Sequence, residues 1–177
     1  PGGGWVTYPG LFAGGRLDDG TRLLISHLPR LEGAPDVLDF ACGTGVLALA
    51  VQRAFPEVRV DVLDHDALAL LAARENVPRV TAILGDGLHA AGARRYDLIV
   101  ANPPVHDGVR EDLSVLRSLL ESAPRHLAPG GRLLLVVQAR TRLERLADAS
   151  RVELRSVHAG SRYRVIEIMS SPMRRHR

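Results

Sequence analysis

The residues of this chain best suited to chemistry are Asn102, Pro103 and Pro104, inside the run Val100-Ala-Asn-Pro-Pro-Val-His-Asp-Gly108. An apolar stretch, Tyr96-Asp-Leu-Ile-Val-Ala101, delivers the carboxamide and the two prolines to its end. Such a stretch, closed by turn-formers, reads as a buried parallel strand. Proline donates nothing to a sheet ladder, so Pro103 must lie at or beyond the strand's end. A residue that precedes proline is driven to extended backbone, which stiffens both Asn102 and Pro103. A stiff carboxamide at a strand's C-terminal end suits the gripping of a small polar group. Taken alone, the same three residues also describe a strand followed by a plain proline turn.

Other polar residues fall at equivalent places. Asp39 lies in the short apolar run Asp36-Val-Leu-Asp-Phe40, which leads into Ala41-Cys-Gly-Thr-Gly45 and then a helical run from Val46 to Phe55, closed by Pro56. Strand, glycine turn and helix form the opening that cradles nucleotide-like ligands. Gly43 and Gly45 allow a sharp turn and close approach, and the helix N-terminus offers free N–H groups. Asp64 ends a second strand, at the position that grips ribose hydroxyls in dinucleotide-binding folds. Asp86, in Gly85-Asp86-Gly87, closes a third.

The elements that must position these residues follow in order. Residues 1–20 read as an irregular, glycine-rich lead-in, with a helix starting near Asp19 or Thr21 and stopping at Pro29. Strands are expected at 36–40, 58–63, 79–84, 96–101 and 132–138. Asp66 caps a helix over 67–76, and Pro129-Gly-Gly131 makes a tight turn into the fifth strand. An amphipathic helix spans 110–127, kinked or ended early by Pro124, and a short one spans 141–149. Residues 152–158 and 163–169 read as a terminal hairpin, followed by a basic tail at 171–177. Alternating strands and helices define an α/β chain with a mainly parallel sheet, and 177 residues make a single domain, 1–177.

Composition narrows the setting. All 23 basic residues are Arg, against 20 acids, for a net charge of +3. Arginine's planar fork suits phosphate and base recognition, and GC-rich codon usage writes the same residue, so the charge permits an RNA partner without demanding one. The single Cys42 excludes an internal disulfide and fits a reducing, cytoplasmic setting. No apolar run reaches the length of a membrane span and no signal peptide is evident, so no membrane partner is expected.

Together, Val37-Leu-Asp-Phe-Ala-Cys-Gly-Thr-Gly45, Asp64, Gly85-Asp86 and Asn102-Pro-Pro104 resemble a class I S-adenosylmethionine-dependent methyltransferase. The continuation His106-Asp-Gly108 is similar to the guanine-N2 methyltransferases of small-subunit ribosomal RNA. Pro9-Gly-Leu-Phe12, Leu17-Asp18, Gly20-Thr21 and Arg162-Tyr-Arg-Val165 fit the same family. The resemblance covers nearly the whole chain. It implies a Rossmann-like, mainly parallel seven-stranded sheet with a C-terminal antiparallel hairpin and helices on both faces. Two positions depart from the family pattern: Ala41 replaces the first loop glycine, and Val105 replaces a phenylalanine that would stack on the target base. Family members also carry an additional N-terminal domain.

The resemblance implies S-adenosylmethionine as cofactor, with no metal, and RNA, in particular ribosomal RNA, as substrate. Asn102 and Pro103 offer carbonyl oxygens to the amine, Pro104 stiffens them, and His106 accepts a proton or meets RNA phosphate. Val105, His106 and Asp107 face the substrate. Thr21, with Phe12, closes the cofactor pocket. Asp39 bonds the glycine-loop backbone or the ligand's amino group, Asp64 grips ribose and Asp86 receives the adenine amine. Ala41, Cys42, Gly43 and Gly45 form the loop, with Cys42 a packed residue rather than a nucleophile. Two other readings stay open: a catalytically inactive relative serving as a structural or RNA-binding component, and a methyltransferase acting on adenine N6 or a glutamine amide.

Overall fold

A computed structural model describes residues 4–11, 17–103, 106–107, 110–111, 113–150 and 152–169. Its elements run α1 (Asp19–Ser26), β1 (Asp36–Phe40), α2 (Val46–Ala54), β2 (Arg59–Asp64), α3 (Ala67–Asn76), β3 (Val80–Leu84), a 3-10 turn (Leu88–Ala91), β4 (Tyr96–Ala101), β5 (His106–Asp107), β6 (Arg110–Glu111), α4 (Ser114–His126), β7 (Leu127–Gln138), α5 (Leu143–Ser150), β8 (Arg155–Ala159) and β9 (Tyr163–Met169).

The main sheet has seven strands in the order β3-β2-β1-β4-β7-β9-β8. The first five are parallel, and β9 runs antiparallel between β7 and β8. Successive strands build outward from β1 on one side and from β4 on the other, so the order reverses between β1 and β4. Ligands bind beyond the carboxyl ends of strands at such a switch point. In the β1–β4 register, Phe40 pairs with Ala101, so Ala41 and Asn102 leave the sheet side by side. Topology thus brings the glycine loop and the carboxamide together.

Alternation along each strand sorts the core into two layers. Val37, Val60, Val62, Leu98, Val100, Leu134 and Val136 pack with Leu24 of α1, Val51 of α2 and Leu70 of α3. Leu38, Phe40, Ile99, Leu133, Leu135 and Ile166 pack with Leu116, Leu119 and Leu120 of α4 and Leu143 and Leu146 of α5. Burying both faces explains why the central strands read as unbroken apolar runs.

Three expectations are corrected. The helix expected over 110–127 begins only at Ser114, because Asp107 and Arg110, and His106 and Glu111, pair as a small antiparallel ribbon. Pro124 sits inside its last turn, where it costs the one N–H bond it cannot donate, and the helix ends two residues later. Residues 129–131 do not precede the fifth strand but lie within it. β7 pairs with β4 at Leu127 and again from Arg132, and the intervening residues bulge. A Cβ on Gly131 would stand 2.6 Å from the Tyr96 carbonyl oxygen, so only glycine lets β7 pass there. The lead-in's last residues also belong to α1, whose N-cap is Asp18.

Candidate active site

A cleft of about 370 Å³ opens at the switch point. Its walls include Ala41, Cys42, Gly43, Thr44, Asp64 and Asn102, with Asp18 and Thr21 from the start of α1 and Gly10 and Leu11 from the lead-in.

The floor is the loop between β1 and α2. Ala41, Gly43 and Gly45 all adopt positive φ, at 56°, 52° and 86°. Left-handed backbone strains an L-residue by roughly 1–2 kcal/mol, which explains why glycine suits position 41 and shows that alanine occupies it under strain. At Gly45 a Cβ would sit 2.7 Å from Val77 Cγ2, so this glycine also permits α2 to approach α3. Asp64 ties the loop to β2: its Oδ2 accepts from Gly43 N at 2.8 Å and its Oδ1 from Asp66 N at 3.0 Å. His65 Nδ1 stands 3.3 Å from Oδ1; a carboxylate has about four lone-pair sites, so Oδ2 keeps one for a hydroxyl donor in the cleft.

Asp39 takes a different place. It is fully buried beneath the loop and does not line the cleft. Its Oδ2 accepts from Ala48 N, in the first turn of α2, at 2.9 Å, and its Oδ1 has no partner among the described residues. Burial pushes its pKa up to about 8; the Ala48 hydrogen bond opposes that shift and the nearby Asp64 charge adds to it. Burial, with the charges of Asp39 and Asp64, also pushes the Cys42 thiol well above its ordinary value, so Cys42 is a packing residue.

Asn102 is held from one side. Its Nδ2 donates to Thr21 Oγ1 at 2.8 Å and lies 3.3 Å from both carboxylate oxygens of Asp18. Thr21 Oγ1 in turn donates to Asp18 Oδ2 at 2.5 Å. The neighbouring carboxylate dictates which arm of the amide is nitrogen, leaving Oδ1 without a protein donor among the described residues. Pro103 is buried just beyond.

The lead-in is docked rather than loose. Asn76, at the end of α3, accepts from Val6 N and donates to Val6 O, both at 2.8 Å, and donates to Thr44 O at 3.0 Å. Trp5 Nε1 donates to Thr44 Oγ1 at 3.2 Å. These bonds carry Gly10 and Leu11 to the cleft wall.

Of the residues singled out from sequence, the structure gathers Thr21, Ala41, Cys42, Gly43, Asp64 and Asn102 at one cleft. Gly45 serves the α2–α3 contact instead. Asp86 does not join them: its side chain is 85% exposed and its Oδ1 lies 3.5 Å from His89 Nε2. The Gly85 backbone packs against Ala90 so closely that a Cβ would meet that residue at 2.3 Å. His106 and Asp107 are placed only as the strand β5, and Phe12, Pro104, Val105 and the 171–177 tail lie outside the described residues. Sequence reasoning missed Asp18, Leu11 and Asp66 as cleft-lining residues, and Asn76 as the residue that docks the lead-in. For Asp18 the available signal was its place just before Asp19-Gly-Thr21, the opening residues of α1.

This strand order, with a glycine loop after β1, an acid after β2 and Asn-Pro after β4, defines a class I methyltransferase fold. The chain belongs to the methyltransferase small domain family, whose model matches residues 4–167. Among curated relatives, the ribosomal RNA small subunit methyltransferase C of Pseudomonas entomophila (strain L48) is 41% identical over 151 residues, covering 82% of this chain and 44% of that protein. Its counterpart in Pseudomonas putida (strain W619) is 38% identical over 166 residues, covering 92% and 50%. Among solved structures, the T. thermophilus 16S rRNA N2 G1207 methyltransferase in complex with AdoMet and guanosine superposes with a TM-score of 0.80 at 26% identity, over 92% of this chain and 46% of that one. The chain spans about half the length of the curated relatives it matches.

Proposed function

We propose that this chain is the catalytic domain of an S-adenosylmethionine-dependent enzyme that methylates the exocyclic N2 amine of a guanine in RNA, in particular small-subunit ribosomal RNA. The observation that carries the reading is the Asn102 carboxamide, lining the cleft with its amino arm already engaged and its oxygen available.

The residues present fit the cofactor. A cleft of about 370 Å³ falls within the roughly 300–1,000 Å³ range of small-molecule sites. Asp64 Oδ2 has a lone pair to spare for a ribose hydroxyl, and the positive-φ loop from Ala41 to Gly45 brings backbone close to a ligand's amino-acid portion. When bound, S-adenosylmethionine supplies an electrophilic methyl group on a sulfonium. The protein's task is alignment and management of the amine. A guanine amine is a poor nucleophile because its lone pair is delocalised into the ring. Asn102 Oδ1 and the Pro103 carbonyl accept its two hydrogens, orient the lone pair and stabilise positive charge as it develops on nitrogen. The proton then leaves to water or to His106. No helix among the described residues is long and apolar enough to cross a membrane. The RNA class is supported by the names of the relatives and by the guanosine bound to the T. thermophilus neighbour.

The test supplies labelled S-adenosylmethionine and small ribosomal subunits to the purified chain and identifies the product by nucleoside mass spectrometry. The expected product is N2-methylguanosine, lost in Asn102→Ala while calorimetry still records cofactor binding. Label in N6-methyladenosine or in a protein glutamine would overturn the substrate assignment. Cofactor binding without transfer to any acceptor would favour a non-catalytic component.

A further inference from the structure

We propose that Asp18 is a positioning residue for methyl transfer: its carboxylate sets the direction of a hydrogen-bond chain through Thr21 that makes Asn102 present its oxygen, not its amino group, to the acceptor amine. The proposal rests on the reading of Asn102 given above.

Donor and acceptor counts set the direction of this chain. An ionised carboxylate only accepts. Asp18 Oδ1 takes Gly20 N at 2.9 Å and Thr21 N at 3.1 Å, which caps α1. Its Oδ2 takes the Thr21 hydroxyl at 2.5 Å. That hydroxyl has a single proton, already given to Asp18, so toward Asn102 it can only accept, and Asn102 Nδ2 approaches it at 2.8 Å. Each link removes a choice from the next. The last choice, which face of the Asn102 amide is turned inward, is thereby made by a residue 84 positions earlier in the chain.

Helix capping alone does not account for this arrangement. A cap needs the bonds from Gly20 N and Thr21 N, and asparagine or serine would supply them. It does not need the Thr21 hydroxyl or the Asn102 amide on the same carboxylate. Gly20 completes the device, since a Cβ there would lie 3.1 Å from Asp18 Oδ1, 3.4 Å from the Tyr163 ring and 3.6 Å from Asn102 Nδ2. Each of Asp18, Gly20 and Thr21 therefore has a separate reason to stand at its place.

Asp18→Asn separates the two roles. The substituted side chain keeps an oxygen for the cap but puts an amino group where Oδ2 was. The chain can then run backwards: the new amino group donates to Thr21, the Thr21 hydroxyl donates to Asn102 Oδ1, and the Asn102 amino group meets the hydrogens of the substrate amine. In full-length protein, Asp18→Asn should keep the wild-type melting temperature while the Asn102 side-chain amide resonances, assigned by their loss in Asn102→Ala, move and exchange faster with water. Turnover on small ribosomal subunits should fall by about 100-fold, the scale of a misplaced reacting group, with a far smaller change in affinity for S-adenosylmethionine. Thr21→Val should do the same and Thr21→Ser should restore it. Unchanged Asn102 resonances in Asp18→Asn would overturn the proposal, whatever the turnover. Full turnover in Asp18→Asn beside lost turnover in Asn102→Ala would overturn it while sparing Asn102. Full turnover in Asn102→Ala would refute the acceptor role itself.

Discussion

Replacing Asp39 with asparagine should change how stability depends on pH, by an amount that follows from its surroundings. Asp39 is fully buried, with one oxygen on Ala48 N, the other unpartnered among the described residues, and a pKa raised to about 8. In the unfolded chain the same group titrates near about 3.9. A folded-state pKa above the unfolded value means that the group's stabilising contribution is fully present below about pH 4 and is lost as pH rises through about 8. Between those limits the unfolded state releases the proton and the folded state retains it. Each pH unit then removes about 1.4 kcal/mol, and above about pH 8 the loss levels off. Over about four units this amounts to several kcal/mol, a large share of the roughly 5–15 kcal/mol that hold a domain together. Asparagine cannot titrate, but its amino group would occupy the unpartnered site at a cost of about 1–3 kcal/mol. The variant should therefore be the less stable protein near pH 4, cross the wild type about one or two units higher, and exceed it by a few kcal/mol at pH 8. Urea denaturation at pH 4, 5, 6.5 and 8, compared through the difference between the two proteins, cancels the other titrating groups. Parallel pH profiles would refute the reasoning, because they would mean that Asp39 is ionised in the folded state despite its burial.

Two further substitutions test the cleft. Ala41→Gly removes a left-handed strain of roughly 1–2 kcal/mol and adds about 0.4–1 kcal/mol of unfolded-state entropy, so the protein should gain up to about 1.5 kcal/mol in urea denaturation; a loss of stability would show that the alanine is not strained. Asn76→Ala removes all three bonds by which this side chain holds Val6 and Thr44, so exchange of the Val6 amide should quicken by about tenfold or more. Unchanged Val6 protection would mean that Trp5 and Tyr8, through Thr44 and Glu75, dock the lead-in without Asn76.

What the sequence determined by itself was whatever depends on neighbours along the chain. Strand β4 ends where Asn102 and Pro103 dictate, because proline cannot extend a ladder. The turn from Ala41 to Gly45 and the Asp66 cap follow from local backbone chemistry, and the doubly wound layout follows from apolar runs alternating with helical ones. The family was legible in the order of these motifs. Tertiary structure alone decided which partners the polar groups found. Asp39 and Asp86 both sit at strand ends, yet one is sealed beneath a helix and the other stands in solvent, because packing of α2 and of the 3-10 turn, not strand position, sets their exposure. Pro129-Gly-Gly131 reads locally as a turn and is a bulge only because the Tyr96 carbonyl lies beside it. Asp19 and Thr21 read as the start of a helix, but that Asp18 caps it, and reaches Asn102 from there, appears only once the start of α1 meets the residue that follows β4. A carboxamide's orientation is a property of its donors and acceptors, and those came together from chain positions far apart.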